Sequence, residues 1–173
     1  MKIPEKINNF NAYTKTVEES NKLVGVTDEI ALPSIEYLSE TLSMAGMGGE
    51  IDSPTVGQIK SIQIEIPFKN ISEKMFNLVA DGGAIILKAA QEVVDTATNG
   101  KSYQGATITI SGMTKSINFG KLKKGGYGDP SITKEVIAFK YEAGDETLVD
   151  IDKWGTRQII NGQEVTKGIS DLI

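Results

Sequence analysis

The chain has 173 residues, a formal net charge of -5 and a sequence pI near 4.9, with neither cysteine nor histidine. A domain of this length buries roughly 70% of its extended-chain surface, so it needs no disulfide or metal to fold. The missing residue types remove thiolate nucleophiles, zinc-thiolate sites, the commonest general base and the commonest metal ligand, and the acidic balance, with Arg157 as the sole arginine, disfavours a grip on nucleic-acid phosphates.

The opening Met1-Lys2-Ile3-Pro4-Glu5-Lys6 carries no apolar run of a signal peptide, and no stretch reaches the length of a membrane helix. A soluble protein made in a cytoplasm is expected, without a membrane role. Residues 1–21 are polar and non-periodic. They read either as a frayed terminus or as an extended N-terminal arm whose Phe10 and Tyr13 plug a neighbouring subunit. A short strand follows over residues 23–32, closed by Pro33. Residues 35–44 read as a strand with a bulge, because Glu40 shares the parity of Leu38, Leu42 and Met44.

The glycine-rich stretch Met44-Ala45-Gly46-Met47-Gly48-Gly49-Glu50-Ile51-Asp52-Ser53-Pro54 has no periodic pattern of its own. At about a dozen residues it is longer than connections in compact domains usually are, and such loops tend to be functional or disordered. Its apolar Met44, Met47 and Ile51 call for something to pack against, so it reads as an inter-subunit docking loop spanning 44–57. It empties into an alternating strand. Ile62, Ile64, Ile66 and Phe68 fall on one face and Ser61, Gln63 and Glu65 on the other, the pattern of a half-buried sheet.

A short helix is predicted from Ser72 to Val79, with Ser72 as N-cap, a stripe of Met75, Leu78 and Val79, and Asp81-Gly82-Gly83 as its stop. Residues 85–96 carry apolar residues on both faces, Ile85, Leu87 and Val93 against Ile86, Ala90 and Val94, as a central strand covered on both sides does. Asn99-Gly100 turns the chain into a strand beginning Thr107-Ile108-Thr109-Ile110. Ser116-Ile117-Asn118-Phe119 follows, then a basic glycine-rich loop over 120–130. Two strands, residues 134–141 and 147–152, meet across Glu142-Ala143-Gly144-Asp145. A last strand over 157–160 turns at Asn161-Gly162 into a tail in which Val165, Ile169, Leu172 and Ile173 keep helical spacing. No internal repeat divides the chain. One domain, 1–173, is assigned: mainly β, a barrel or sandwich with one or two short helices.

No motif announces chemistry. The cluster Lys121, Lys123 and Lys124 lacks the spacing of a phosphate loop, and Gly125-Gly126-Tyr127-Gly128 precedes Pro130 instead of a helix. Both are read as a solvated basic turn or an inter-subunit salt-bridge donor. The pairs Asp150/Asp152, Asp28/Glu29 and Glu50/Asp52 lack the ligand number of a calcium loop. Asn70-Ile71-Ser72 fits a glycosylation sequon, but helix capping accounts for the serine, and Trp154 reads as core. No catalytic residue, metal or cofactor is assigned.

The phrases Ile3-Pro4-Glu5-Lys6-Ile7-Asn8-Asn9-Phe10, Gly25-Val26-Thr27-Asp28-Glu29-Ile30-Ala31-Leu32-Pro33, Gly49-Glu50-Ile51-Asp52-Ser53-Pro54-Thr55, Ile64-Glu65-Ile66-Pro67-Phe68, Asn118-Phe119-Gly120-Lys121-Leu122-Lys123 and Ile159-Ile160-Asn161-Gly162 occur in order along essentially the whole chain. Together they resemble the major tail tube protein family of contractile-tailed bacteriophages. The resemblance implies a non-enzymatic tail tube β-barrel. Six copies would form a ring, and the rings would stack into a tube inside the tail sheath, bounded by baseplate and tail terminator proteins. DNA would pass through the lumen on ejection. The tube would belong to the virion tail and be assembled in the bacterial host cytoplasm. Contacts between subunits would fall to Phe10, Tyr13, Met44, Gly46, Met47, Gly48, Gly49, Glu50, Ile51, Asp52, Ser53 and Pro54. The lumen would be lined by Ser61, Gln63 and Glu65, with Ser39, Thr41 and Ser43 opposite them if those strands pair. Alternatives are the tube of a headless bactericidal particle or of a secretion system, and a monomeric β-barrel binding module.

Overall fold

The computed structural model describes residues 1–80 and 84–173. In chain order its elements are β1 (Lys2–Thr14), a 3-10 turn (Glu19–Asn21), β2 (Tyr37–Leu42), β3 (Ile51–Ile59), β4 (Gln63–Pro67), α1 (Glu73–Ala80), β5 (Ile85–Asp95), β6 (Gly100–Asn118), β7 (Ser131–Ala143), β8 (Glu146–Asp152), β9 (Arg157–Ile160), β10 (Gln163–Glu164) and α2 (Lys167–Ser170). All strand pairs are antiparallel. The main sheet runs β1-β5-β6-β7-β8-β9-β10, and β4 pairs with β7 over Ser131 to Glu135, leaving the rest of β7 to β8.

The gap between β1 and β4 is closed by residues 22–27. Leu23 N–H donates to the Ala12 carbonyl at 2.8 Å and Lys22 bridges Tyr13; further on, Val26 bridges Phe68 and Thr27 N–H donates to the Pro67 carbonyl at 3.1 Å. Five strands and one irregular stave thus form a barrel, and the strand expected over 23–32 is reduced to these isolated bridges. The physical reason is that the segment must cross from one strand edge to another, so it never runs beside either long enough to form a ladder.

The alternating strand behaves as its pattern requires. Ile62, Ile64, Ile66 and Phe68 are buried, while Ser61, Gln63 and Glu65 are exposed. They meet Ile85 and Leu87 of β5, Ile108 and Ile110 of β6, and Ile132 and Val136 of β7. Helix α1 adds Met75 and Leu78 to this core, and Ser72 Oγ accepts the Met75 N–H at 3.3 Å, the cap expected of it. The predicted stop, Asp81-Gly82-Gly83, lies outside the described residues.

Four expectations are corrected. The N-terminal segment is no frayed end: β1 pairs with β5 from Lys2 to Thr14, with register shifts at Pro4/Lys6 and Ile7/Asn9, and it shows no period because Lys2 to Asn9 are exposed on both faces. Strand β5 is internal to the sheet, but its apolar burial is on one face; on the other Ile86 and Val94 are half-buried, Ala90 is exposed, and the buried residue is Glu92. The two strands expected over 107–119 are one, β6, because register shifts at Ser111/Gly112 and Thr114/Ser116 break its pattern without ending it. The tail helix shrinks to α2. Gln163–Glu164 folds back on β9, and Leu172 and Ile173 find no core surface to bury against, without which a short helix does not persist.

Candidate assembly interface

Half of the expected docking loop is strand. Ile51, Asp52, Ser53 and Pro54 open β3, which pairs with β2 as a separate two-stranded sheet: Leu42 faces Ile51, Thr41 faces Asp52, Glu40 faces Ser53 and Ser39 faces Pro54. The connection proper is residues 43–50, closed by Met47 N–H donating to the Met44 carbonyl at 3.1 Å. No period announced the strand because both of its faces are largely open. Leu38, Leu42, Met44, Ile51 and Val56 are all exposed, Met44 by 63% and Ile51 by 56%. A lone two-stranded hairpin is at best marginally stable in water, so this one depends on its root. There Ile35 and Ile59 pack on the core, Lys60 N–H donates to the Glu36 carbonyl at 2.9 Å, and the buried Gln158 Nε2 donates to the Gly57 carbonyl at 2.6 Å. Gly57 has φ +81, and a Cβ there would lie 2.7 Å from Thr166 Cγ2, so only glycine fits where the hairpin meets the body.

The pairing of β2 with β3 also corrects the condition set for Ser39, Thr41 and Ser43. These residues do not stand opposite Ser61, Gln63 and Glu65, since β4 pairs with β7 instead. The exposed face of β4 continues onto β7, where Glu135 and Thr133 face Gln63 and Glu65. Ser61 Oγ donates to the Glu135 carboxylate at 2.8 Å, and Lys153 Nζ lies 3.7 Å from it.

In β1, Phe10 and Tyr13 face opposite sides. Phe10 is half-buried and lines an open apolar groove of about 260 Å³ with Ile7, Ile30, Leu32, Ala89 and Tyr141, on the side of buried Ala12 and Thr14, and the half-buried Tyr13 stands on the other side. From Lys2 to Asn11 the edge of β1 away from β5 has no strand partner among the described residues. A polar cluster holds β1 to the sheet. The nearly buried Glu92 accepts a hydrogen bond from Asn8 Nδ2 at 2.7 Å and lies 3.2 Å from Lys101 Nζ and 3.7 Å from Lys6 Nζ; Lys101 also pairs with Glu5 at 3.1 Å. The Asn8 hydrogen bond first, then Lys101, holds the Glu92 carboxyl below its ordinary value, and hydrogen bonding to Glu5 and Glu92 raises the Lys101 ammonium above its own.

The basic loop is built to expose side chains. Gly120 has φ +71, and a Cβ there would sit 2.1 Å from the Gly128 carbonyl oxygen, so the two ends of the loop cross in contact. Lys121 N–H donates to that same carbonyl at 2.8 Å, while Gly128 N–H reaches the Lys69 carbonyl at 3.1 Å and Asn70 Oδ1 at 3.0 Å. From this pinned base project Phe119, Tyr127 and a fully exposed Leu122. Lys69 Nζ stands 5.1 Å from the Tyr127 ring, and Lys121 pairs with Asp129 at 3.4 Å. Expected as a solvated basic turn or an inter-subunit salt-bridge donor, the loop also holds exposed apolar side chains among its lysines, which a reading of its charges alone passes over.

Trp154, expected in the core, is 77% exposed beyond the end of β8; on the turn two residues past Asp152 it has no strand parity to take it inward. Asp150 is paired by Arg157 at 3.0 Å and Asp152 accepts the Trp154 N–H, so this acidic pair is engaged in shaping the β8–β9 turn. Among the described residues no three acidic side chains converge as a metal site would require, and no helix is long and apolar enough to cross a membrane.

The fold is similar to solved contractile injection machinery. The sheath/tube terminator of the PVC extracellular contractile injection system in its extended state superposes with a TM-score of 0.53 at 13% identity, covering 81% of this chain and 97% of that one. The PVC sheath-tube complex in the extended state gives the same score and identity over 81% of this chain and 92% of that one. No curated protein matches the chain. The family described as phage tail tube protein FII matches residues 4–172, and to that family the chain belongs.

Proposed function

We propose that copies of this chain form hexameric rings that stack head to tail into the inner tube of a contractile phage tail, through which DNA passes on ejection. The observation that carries the reading is the β2–β3 hairpin, whose exposed Leu42, Met44, Ile51 and Val56 leave a marginal element in need of a partner. The number six comes from the family resemblance. The unpartnered edge of β1 from Lys2 to Asn11 supplies the lateral contact, since a free strand edge is a template for pairing and a ring of such joints leaves none open. Residues of the hairpin and its turn, Met44 to Pro54, supply the contact between rings, a repeating head-to-tail arrangement that grows without closing. Tyr13, on the other side of β1 from Phe10, belongs to the lateral surface.

Ser61 and the polar face of β4, Gln63 and Glu65, line the lumen, where the Glu65 carboxylate repels phosphates and lets DNA slide. Sheath surrounds the tube and baseplate and terminator proteins bound it. The role requires no chemistry and no cofactor, and assembly takes place in the host cytoplasm. The test replaces residues 42–51 by Asn-Gly, which joins the paired Thr41 and Asp52 through a two-residue hairpin turn. Negative-stain electron microscopy of concentrated protein is expected to show tubes for the native chain and folded, unstacked protein for the variant. Tubes formed by the variant would overturn the hairpin's role.

A further inference from the structure

We infer that the tip of the β2–β3 hairpin docks on the basic loop, residues 119–128, of a second copy of this chain in the adjoining ring. This rests on the stacking reading above and names the acceptor that reading lacks. A head-to-tail contact needs two different surfaces, complementary to each other and placed at opposite ends of the subunit. The hairpin and the loop meet both conditions. Strand β4 pairs antiparallel with the start of β7, Gln63 facing Glu135 at one end and Pro67 facing Ser131 at the other. The hairpin enters at the Gln63 end through residues 60–62, and the basic loop enters at the Pro67 end, where Phe68 N–H donates to the Pro130 carbonyl at 2.8 Å. The two elements are therefore rooted at opposite ends of one strand pair.

Their chemistry is complementary. Between Tyr37 and Ile59 the chain carries Glu40, Glu50 and Asp52 and no lysine or arginine, and between Phe119 and Gly128 it carries Lys121, Lys123 and Lys124 and no acid. Glu40, Glu50, Asp52, Lys123 and Lys124 make no ion pair among the described residues. Each charged set surrounds exposed apolar side chains, Leu42, Met44 and Ile51 on the hairpin and Phe119, Leu122 and Tyr127 on the loop. Burying the apolar residues against each other supplies affinity, and the opposed charges fix direction and register by penalising hairpin on hairpin and loop on loop.

The double variant Lys123→Glu/Lys124→Glu is expected to raise the critical concentration for tubes by roughly tenfold or more, as is Glu50→Lys/Asp52→Lys. Combining all four substitutions in one chain is expected to restore assembly. Since the chain has no cysteine, co-assembly of Met44→Cys with Leu122→Cys under oxidising conditions provides a second readout, a mixed disulfide-linked dimer absent when either variant is alone. The acceptor assignment is overturned if loop reversal leaves assembly unchanged, if the fourfold swap fails to restore it, or if no mixed dimer forms within tubes. In each of those cases loss of tubes on replacing residues 42–51 keeps the stacking reading intact. Tubes that survive that replacement overturn both.

Discussion

At Glu92 the local chemistry makes a signed statement about pH. A carboxyl held below its ordinary value of 4.5 contributes stability that is present above that pH and lost as pH falls through the lowered value. Lys101 runs the other way: its contribution is complete below 10.5 and lost as pH rises through the raised value. The denaturation midpoint of the native chain is therefore expected to exceed that of Glu92→Gln by a constant margin around neutral pH, and the margin is expected to shrink below pH 4.5. A margin unchanged down to about pH 3 would show that the pairing with Asn8, Lys101 and Lys6 does not act through the charge of Glu92. Residue identity alone is a poor guide to burial, as Trp154 and Phe68 show. Trp154→Ala is expected to change unfolding free energy by no more than about 0.5 kcal/mol, as at an exposed site, whereas Phe68→Ala is expected to cost about 3–5 kcal/mol. Chemical denaturation of the two variants checks both, and equal effects would contradict the burial seen here.

At the scale of elements, the difference between β4 and the hairpin is a matter of what each face meets. Strand β4 has one wet and one buried face, so its alternation of isoleucine with Gln63 and Glu65 could be read directly. Strand β3 has two open faces in the isolated chain and shows no alternation, which is why it looked like loop. The same difference predicts dynamics: in the unassembled protein the amides of β2 and β3 are expected to exchange hydrogen far faster than those of β5 and β6, and to become protected in tubes. Strong protection of the hairpin in monomers, followed by hydrogen-exchange mass spectrometry, would contradict its dependence on a partner. Capping by Ser72 was legible because it needs only the residues within one turn of α1.

For the molecule as a whole, the barrel closes at a weak seam. Residues 22–27 hold β1 to β4 through isolated bridges instead of a ladder, and Leu23 is their only fully buried apolar side chain. Leu23→Ala is expected to cost about 2–5 kcal/mol and to make residues 22–27 the first region cut in limited proteolysis; cutting that begins elsewhere would place the weak point elsewhere. Class, strand parity, the capped helix and the family were open to inspection in the residues, because each depends on neighbours a few positions away or on phrases kept in order. The closure by residues 22–27, the pairing of β4 with β7 instead of β2, the incorporation of β1 and the outward position of Trp154 were not. They depend on which strand edges meet across long sequence separations, and backbone hydrogen bonding is the same for every residue type but proline, so no local pattern records the choice. The partition of apolar side chains between core and exposed surface belongs to the same class. Ile66 and Ile51 are chemically identical, and only the packed barrel makes one of them interior and leaves the other exposed.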